Sequence, residues 1–369
     1  MDFEDLKKIL DEFFFGKYEL VRFLKSSAFS EIYLIKHVFL DDLRVMKILK
    51  KPLNIGSEMD LFLYGARMIC QLKHENIVHI HDAGIIPSYG ENNSDFVYFI
   101  IEYVPGGDLS QYMYSFINNN MLIPVSWILY LIKHISLGLS FLHSSQPPIV
   151  HGDIKPSNVL LSFNSQDHIV VKLSDFGFSS HVHSSLSDSV VAGTVQFMAP
   201  ECFKKEKYPA SDIYALGVIF YILLTNRFPY DIQKFNLVEI LEEKPWSNPL
   251  ILPSEYNSKI SSDLDDIVMK CLSFNYNDRF LDANELLIEI EGYIGKFNEY
   301  DKHVFHINNT IKRAFRLALY ENNLQEAIDI IKDTDMMTVL EEVVSADDGC
   351  DFASNTIKVE NLSDMRNNG

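Results

Sequence analysis

The apolar pattern of the chain changes its period once, near residue 104, and this change limits the folds available. Before that point, short apolar runs of the kind that predicts antiparallel strands lie at 18–24, 31–38, 43–49, 78–84 and 96–103. After it, apolar residues recur at helical spacing, for example at 126–143, 211–225, 262–272 and 282–294. The sequence therefore predicts an α+β chain with a small β-rich lobe followed by a larger, mainly helical lobe.

One further helix is predicted inside the strand-rich part, at 57–73, where apolar residues follow helical spacing. The predicted domains are a lead-in helix at 1–17, one bilobal domain at 18–293 with lobes at 18–103 and 104–293, a helical extension at 294–344, and a tail at 345–369. The tail is acidic, asparagine-rich and poor in aromatic residues, so it is predicted to be disordered.

Composition and charge argue against several classes of protein. Of 369 residues, 47% are hydrophobic, and the longest apolar stretch, Ile213 to Leu224, is too short for a predicted membrane span. The net charge of −19 would repel a phosphate backbone, which argues against nucleic acid as a partner. Four dispersed cysteines without a CxxC pair, and an acidic N-terminus unlike a secretory signal, predict a cytoplasmic protein with reduced thiols.

Two loops carry the residue types that phosphoryl transfer requires. The segment IVHGDIKPSNVLLS at 149–162 places Asp153, Lys155 and Asn158 between two apolar runs. Its carboxylate can orient an attacking hydroxyl and take the proton, its ammonium can neutralise the transferred group, and its amide oxygen can hold a metal. The segment VKLSDFGFS then places Asp175 on a turn after an apolar strand, where a carboxylate can hold Mg²⁺.

Together with VAGTVQFMAPE at 191–201, these motifs stand in the order and spacing of the protein kinase superfamily, which the chain resembles over 18–293. The resemblance implies a bilobal protein-kinase-like fold and transfer of the γ-phosphate of Mg-ATP to a protein hydroxyl. Lys155 and Thr194 resemble the serine/threonine branch, and SDIYALGVIFYILLT is similar to bacterial members. The expected partner is therefore a protein substrate with a serine or threonine hydroxyl.

The resemblance also assigns roles to individual residues. Asp153 matches the catalytic base, Lys155 the catalytic-loop lysine, and Asn158 and Asp175 the ligands of Mg²⁺. Lys47 in RVMKIL matches the lysine that contacts the α- and β-phosphates. The residues that the resemblance places around ATP are Leu24, Ile32, Val45, Lys47, Ile101, Glu102, Val104, Asp108 and Leu160.

Three more residues match supporting positions of the family. Glu201 matches a glutamate that usually pairs with a later arginine, here Arg279, and Asp212 matches a helix aspartate that supports the catalytic loop. Asp108 has an alternative role as the N-cap of the helix that begins at LSQYM. The serine-rich run at 184–189 is either a phosphorylation site or a flexible loop, and the histidines fit no zinc spacing, so they are expected to be structural.

The chain departs from the family pattern at three places. Lys25, Ser27 and Ser30 occupy the glycine positions of the phosphate-binding loop, which predicts weaker nucleotide binding and a new cation near the phosphates. Gly65 replaces the helix glutamate that usually anchors Lys47, and Asp175 is the nearest substitute. Gly152 replaces the arginine before the catalytic aspartate.

Two hypotheses follow for the function. The preserved lysines, aspartates and asparagine predict an ATP-dependent serine/threonine kinase that is slow or partner-dependent. The lost loop glycines and helix glutamate favour the alternative, a pseudokinase or ATP-binding scaffold with little phosphotransfer. In either case the C-terminal helices are candidates for docking a partner protein through an apolar face.

Overall fold

A five-stranded antiparallel sheet forms the first lobe. The computed structural model describes residues 3–27, 30–50, 70–86, 96–118, 122–163, 169–175 and 195–296. The strands are β1 (Tyr18–Ser26), β2 (Ser30–His37), β3 (Asp42–Leu49), β4 (Ile80–Ile86) and β5 (Phe96–Glu102). Their order in the sheet is β1–β2–β3–β5–β4, and each neighbouring pair is antiparallel. The five predicted strands are confirmed, with small differences at their ends.

An N-terminal helix, α1 (Phe3–Glu12), packs on one face of this sheet. Its residues Leu6, Ile9 and Leu10 are at most 1% exposed. They share one apolar cluster with strand residues Tyr33, Ile35, Met46, Ile48, Ile86, Tyr98 and Ile100. Because neighbouring residues of a strand point to opposite faces, the other face of the sheet carries Ile32 and Lys47. The helix therefore covers the side of the sheet that faces away from the predicted nucleotide.

The second lobe is mainly helical, as predicted. Its helices are α2 (Leu109–Asn118), α3 (Val125–His143), α4 (Pro209–Thr225), α5 (Leu237–Leu241), α6 (Pro253–Tyr256), α7 (Ser262–Cys271) and α8 (Ala283–Gly295). A hairpin of β6 (Val159–Phe163) and β7 (Ile169–Leu173) lies between α3 and α4 in the chain. Residues from Ala210 to Thr225 in α4 are buried, so this helix is the centre of the lobe.

Local sequence signals explain where these helices begin and end. The Asp282 side chain accepts hydrogen bonds from the backbone N–H groups of Asn284 and Glu285 at the start of α8. Pro209 occupies the first position of α4, where the missing N–H costs nothing. Asn226 adopts the left-handed conformation that ends the same helix.

Helix α3 is the one helix in the described part of the chain that is long and apolar enough to cross a membrane, by length and composition. In the structure, 56% of its most apolar window is buried, and the helix packs against α4, α8 and β7. The apolar stretch from Ile213 to Leu224, noted in the sequence, belongs to the shorter helix α4.

Several predicted segments lie outside the described residues. They are most of the helix at 57–73 with Gly65, the serine-rich run at 184–189, Thr194, and nearly all of the extension and tail at 294–369. The predictions for these segments stay predictions from the sequence.

We expect Ile9→Ala to lower the free energy of unfolding by about 2–4 kcal/mol, because removing a buried isoleucine side chain leaves a cavity in the cluster under α1. The matched control is Asp11→Ala on the exposed side of the same helix, which we expect to change it by less than about 0.5 kcal/mol. Urea unfolding followed by circular dichroism measures both. Equal stabilities for the two variants would show that α1 does not pack on the sheet in solution.

Candidate active site

A buried carboxylate holds the loop that precedes β6. Asp212, which is 1% exposed near the start of α4, accepts hydrogen bonds from the backbone N–H groups of His151 at 2.7 Å and Gly152 at 2.8 Å. His143 Nδ1 accepts from the backbone N–H of Ala283, so its Nε2–H donates to Asp212 at 3.0 Å. A single side chain thus connects this loop to α3, α4 and the start of α8.

The loop makes a left-handed turn at Gly152, where φ is +72°. This conformation favours glycine, since other residues bring their Cβ close to the backbone. A Cβ built on Gly152 would lie 3.3 Å from the Nζ of Lys207. Gly152 stands where the family has an arginine. The ammonium of Lys207, from the segment that leads into α4, therefore lies beside this position.

The three predicted loop residues lie together. Lys155 Nζ contacts both carboxylate oxygens of Asp153, at 2.9 and 2.8 Å. Asn158 Nδ2 donates to the backbone carbonyl of Asp153 at 2.8 Å and to its Oδ2 at 2.9 Å. Because these two bonds use the amide nitrogen of Asn158, its side-chain oxygen is the atom suited to a cation.

Asp175 is brought to the same place by hydrogen bonds between the two loops. The backbone N–H of Ser174 donates to the backbone carbonyl of Asn158 at 2.9 Å, and Asp175 follows in a left-handed conformation with φ of +63°. Its Oδ1 lies 2.7 Å from Lys47 Nζ on β3. The lysine of the first lobe and the predicted metal ligand of the second lobe are therefore in direct contact across the cleft.

The charges around Asp175 keep its carboxyl group ionised. Burial alone would raise the pKa of Asp175, but the charge and hydrogen bond of Lys47, with the charges of Lys25 and Lys155, outweigh burial and lower the pKa below its ordinary value. The ionised form is the one that binds a divalent cation. Asp175 and the Asn158 amide provide oxygen ligands of the type that Mg²⁺ prefers.

Nearby His151 is neutral at physiological pH. Burial lowers the pKa of His151, although the carboxylates of Asp212, Asp153 and Asp175 act in the opposite direction. Its Nδ1 accepts from the backbone N–H of Asp153 at 3.4 Å, and its Nε2–H donates to the backbone carbonyl of Ser174 at 3.1 Å. His151 thus connects the loop of Asp153 to the loop of Asp175, which is the structural role that the sequence predicted.

The residues predicted to surround the adenine lie where the two lobes meet. Val45 on β3 is paired with Ile101 on β5, and Ile32 on β2 is paired with Lys47. Glu102, at the end of β5, accepts from Lys172 Nζ on β7 at 3.0 Å. This ion pair joins the connection between the lobes to the second lobe, and sequence analysis missed it because the two residues are far apart in the chain.

Beyond this connection, the chain runs close to β6. A Cβ on Gly106 would lie 2.2 Å from the backbone oxygen of Leu161, so only glycine fits there. Leu160 forms an isolated bridge with Asp108, and Asp108 Oδ1 accepts from the backbone N–H of Gln111 at 3.2 Å. The N-cap role of Asp108 is therefore present, and its contact with the ribose stays a prediction. Leu24 lies on β1 and Val104 just after β5, and their contact with ATP stays a prediction.

The loop between β1 and β2 is closed by its own serines. The backbone N–H of Ser27 donates to the backbone oxygen of Ser30 at 2.8 Å, and the N–H of Ser30 donates to Ser27 Oγ at 3.0 Å. From β3, Lys50 Nζ contacts Ser26 Oγ and the backbone oxygen of Ser27, both at 2.7 Å. The two ends of this loop are thus joined by a hydrogen bond to a serine side chain, which glycine could not make.

Below the cleft, a buried ion pair fixes the segment before α4. Arg279 contacts Glu201 through two parallel bonds of 2.8 Å each, and also donates to the backbone oxygens of Ala210, Ser273 and Phe274. Its side chain is fully buried. The pair expected from the family resemblance is therefore present, with its guanidinium satisfied by fixed acceptors.

No cluster of three histidine, cysteine or acidic residues able to hold a metal occurs among the described residues. A magnesium ion held by two protein oxygens and by phosphates needs no such cluster.

Comparisons with known proteins agree with this geometry. A family model described as the protein kinase domain matches residues 18–288. The chain belongs to the protein kinase family. The predicted kinase fold, with its antiparallel first lobe and helical second lobe, is confirmed.

Relatives occur in both bacteria and eukaryotes. Serine/threonine-protein kinase PrkC of Bacillus subtilis is 27% identical over 329 residues, which cover 87% of this chain and 45% of that protein. Serine/threonine-protein kinase ULK1 of Homo sapiens is 28% identical over 273 residues, which cover 72% of this chain and 24% of that protein. The predicted similarity to bacterial serine/threonine kinases is confirmed. The kinase spans less than half the length of these two relatives.

Among solved structures, a mutant of the PknI kinase domain of Mycobacterium tuberculosis has a TM-score of 0.53 at 22% identity. The match covers 75% of this chain and 95% of that domain. At this level of identity the likeness shows the fold alone, which is the same bilobal fold as that described above.

We expect the free energy of unfolding of the kinase to fall as the pH is lowered from 7 to about 5. Burial is the largest cause that lowers the pKa of five histidines below 6.5, namely His37, His74, His81, His134 and His151. The unfolded chain therefore binds protons near pH 6.5 that the folded chain does not bind, and stability rises with pH across this window.

Urea unfolding at a series of pH values measures this slope. The pKa values of Asp175 and Asp212 are lowered below 3.8. The stability that their ionised forms contribute is therefore lost only at lower pH than the window of the histidines. His151→Gln should reduce the slope, whatever its effect on stability at neutral pH. A flat profile between pH 7 and pH 5 would contradict the prediction.

Proposed function

We propose that this kinase domain transfers the γ-phosphate of Mg-ATP to a serine or threonine hydroxyl of a protein, with Asp153 as the catalytic base. The observation that carries the proposal is the convergence of Lys47, Asp153, Asn158 and Asp175 on one cleft between the lobes. These side chains come from two separate lobes, and hydrogen bonds or ion pairs place each of them.

Each residue has a defined part in the proposed reaction. The Asp153 carboxylate accepts the hydrogen bond of the substrate hydroxyl, orients it and takes its proton as the new bond to phosphorus forms. Lys155, already within 2.9 Å of that carboxylate, neutralises negative charge on the transferred group. Lys47 binds phosphate oxygens of the nucleotide, and Asn158 and Asp175 would hold Mg²⁺. When bound, the magnesium ion would offset the negative charge of the phosphates.

The ion pairs of the structure have to exchange partners when substrates bind. Asp175 contacts Lys47, and Asp153 contacts Lys155, so the predicted metal ligand and the predicted base each already have a cation beside them. For Mg-ATP to bind, Asp175 would have to leave Lys47 to hold the metal, and Lys47 would be free to contact phosphate. Breaking these ion pairs costs free energy and therefore weakens the binding of Mg-ATP. This cost supports the expectation of a slow or partner-dependent kinase.

The second candidate function is a pseudokinase or ATP-binding scaffold. The observation that favours it is the closed β1–β2 loop, in which the N–H groups of Ser27 and Ser30 are already hydrogen bonded within the loop. Fewer backbone donors are then available to phosphates, and the site loses part of its preorganisation. A cytoplasmic location stays a prediction from the sequence, with which the free thiols of Cys70, Cys202 and Cys271 are compatible.

We expect the wild-type kinase to transfer radioactive phosphate from Mg-ATP to itself or to a generic basic protein, and Asp153→Asn to lower this rate by about 10³-fold or more. Mg-ATP should raise the melting temperature of both proteins, because Asp153 does not bind the nucleotide. The matched control Lys47→Met should lose most of this thermal shift. A thermal shift in the wild type without phosphotransfer would favour the scaffold, and the absence of both would contradict the active kinase and the ATP-binding scaffold.

We further expect Gly65→Glu to tighten Mg-ATP binding. The sequence match places Gly65 at the family's helix glutamate, and a carboxylate there would compete with Asp175 for Lys47. Releasing Asp175 from its 2.7 Å contact makes its oxygens available to the metal. Helix propensity alone gains up to roughly 1 kcal/mol when glycine is replaced.

The measurement for Gly65 is the Kd of Mg-ATP by calorimetry, with Gly65→Gln as the control. Glutamine restores the helix propensity but not the charge. Equal affinities for the two variants would assign the effect to helix propensity, and weaker binding by Gly65→Glu would contradict the prediction.

A further inference from the structure

We propose that Lys25 is a phosphate-binding residue of the nucleotide site, acting as a second cation beside Lys47 for the triphosphate. This inference rests on the proposed function. It assigns a role to a residue at a position where the family has glycine, a residue type that contributes no charge.

The register of the sheet places the two lysines in one row. Lys25 on β1 lies opposite Ile32 on β2, and Ile32 lies opposite Lys47 on β3. Residues directly opposite each other on antiparallel strands point to the same face of the sheet. Lys25 therefore projects to the same face as Lys47, on the side opposite α1. With strands about 4.8 Å apart, their Cα atoms are roughly 10 Å apart, a spacing over which two lysine side chains can contact one triphosphate.

An irregularity in β1 produces this alignment. The pairing of β1 with β2 shifts between Phe23 and Lys25, so that Lys25, and not Leu24, lies opposite Ile32. Such bulges change the direction of the side chains that follow them. Phe23 before the shift packs on Tyr33 with ring centroids 5.5 Å apart, on the other face of the sheet.

Lys25 is exposed. Among the described residues, none makes a hydrogen bond or ion pair with its ammonium. The cation is therefore available to a bound phosphate.

The hydrogen bonds between Ser27 and Ser30 explain why a cation at this position would help to bind phosphate. The N–H groups of Ser27 and Ser30 bond inside the loop, and Lys50 is already in contact with Ser26 and Ser27. A loop of glycines binds phosphate mainly through backbone N–H groups. Because these two donors are already used, the ammonium of Lys25 at the end of β1 supplies positive charge for the triphosphate.

The test is calorimetric binding of Mg-ATP and of adenosine to the wild type and to four variants. Lys25→Met removes the charge and keeps the length of the side chain, Lys25→Gly restores the family residue, and Lys25→Arg keeps the charge. Lys36→Met is the matched control, because it removes one lysine of the same sheet whose exposed ion pair is with Asp41. Thermal melting without nucleotide checks that each variant is folded.

We expect Lys25→Met and Lys25→Gly to weaken Mg-ATP binding by about tenfold, the effect of one hydrogen bond to a charged group. Adenosine binding should change by less than about twofold, and Lys25→Arg and Lys36→Met should bind both ligands like the wild type. Raising the ionic strength should reduce the difference between the wild type and Lys25→Met, since salt screens exposed charges.

Three results would overturn the inference. Tighter Mg-ATP binding by Lys25→Gly would show that the side chain obstructs the phosphates. Equal losses for Mg-ATP and adenosine would show that Lys25 only supports the shape of the pocket. Failure of the wild type to bind Mg-ATP would overturn the proposed function together with this inference, whereas the first two results leave the proposed function intact.

Discussion

The hydrogen bonds of the buried Asp212 carboxylate are the interaction on which the rest of the site depends. The carboxylate fixes the backbone of His151 and Gly152, and these residues lead directly to Asp153. Burial would raise the pKa of Asp212, but the hydrogen bonds that it accepts from His143 and from the Gly152 N–H act in the opposite direction, and the pKa is lowered. An ionised carboxylate in the core needs such hydrogen bonds, so the position of the loop that carries Asp153 follows from the packing of α3, α4 and α8.

The organisation of the second lobe was largely predictable, because its signals are local. The loop that carries Asp153, Lys155 and Asn158 is continuous in sequence, and the helices follow periodic apolar residues with recognisable caps such as Asp282. Contacts between distant segments were not predictable. Nothing near Gly152 in the chain indicates that Lys207 lies over it, because its position depends on how the segment before α4 folds back. The same holds for the pair of Glu102 and Lys172, which joins the lobes.

The strands of the first lobe were predictable from the sequence, but the way in which α1 packs on them was not. Alternation predicted its strands, but not which face α1 would cover, since both faces of β2 and β3 are apolar. Leu6, Ile9 and Leu10 decide this by joining the cluster of Tyr33 and Met46, which leaves the opposite face of the sheet uncovered by α1. The capping alternative for Asp108 could be stated from sequence, whereas its presence required the contact with Gln111.

The departures from the family pattern share one physical consequence. In the family pattern, glycine lets backbone N–H groups approach the phosphates, and a helix glutamate forms an ion pair with the strand lysine; both preorganise the site. Here the serines close the loop, Lys47 turns to Asp175, and cations stand at or over positions 25 and 152. Under the proposed function, such a site relies on a cation such as Lys25 where the family relies on backbone N–H groups, so we expect its affinity for Mg-ATP to fall as the ionic strength rises.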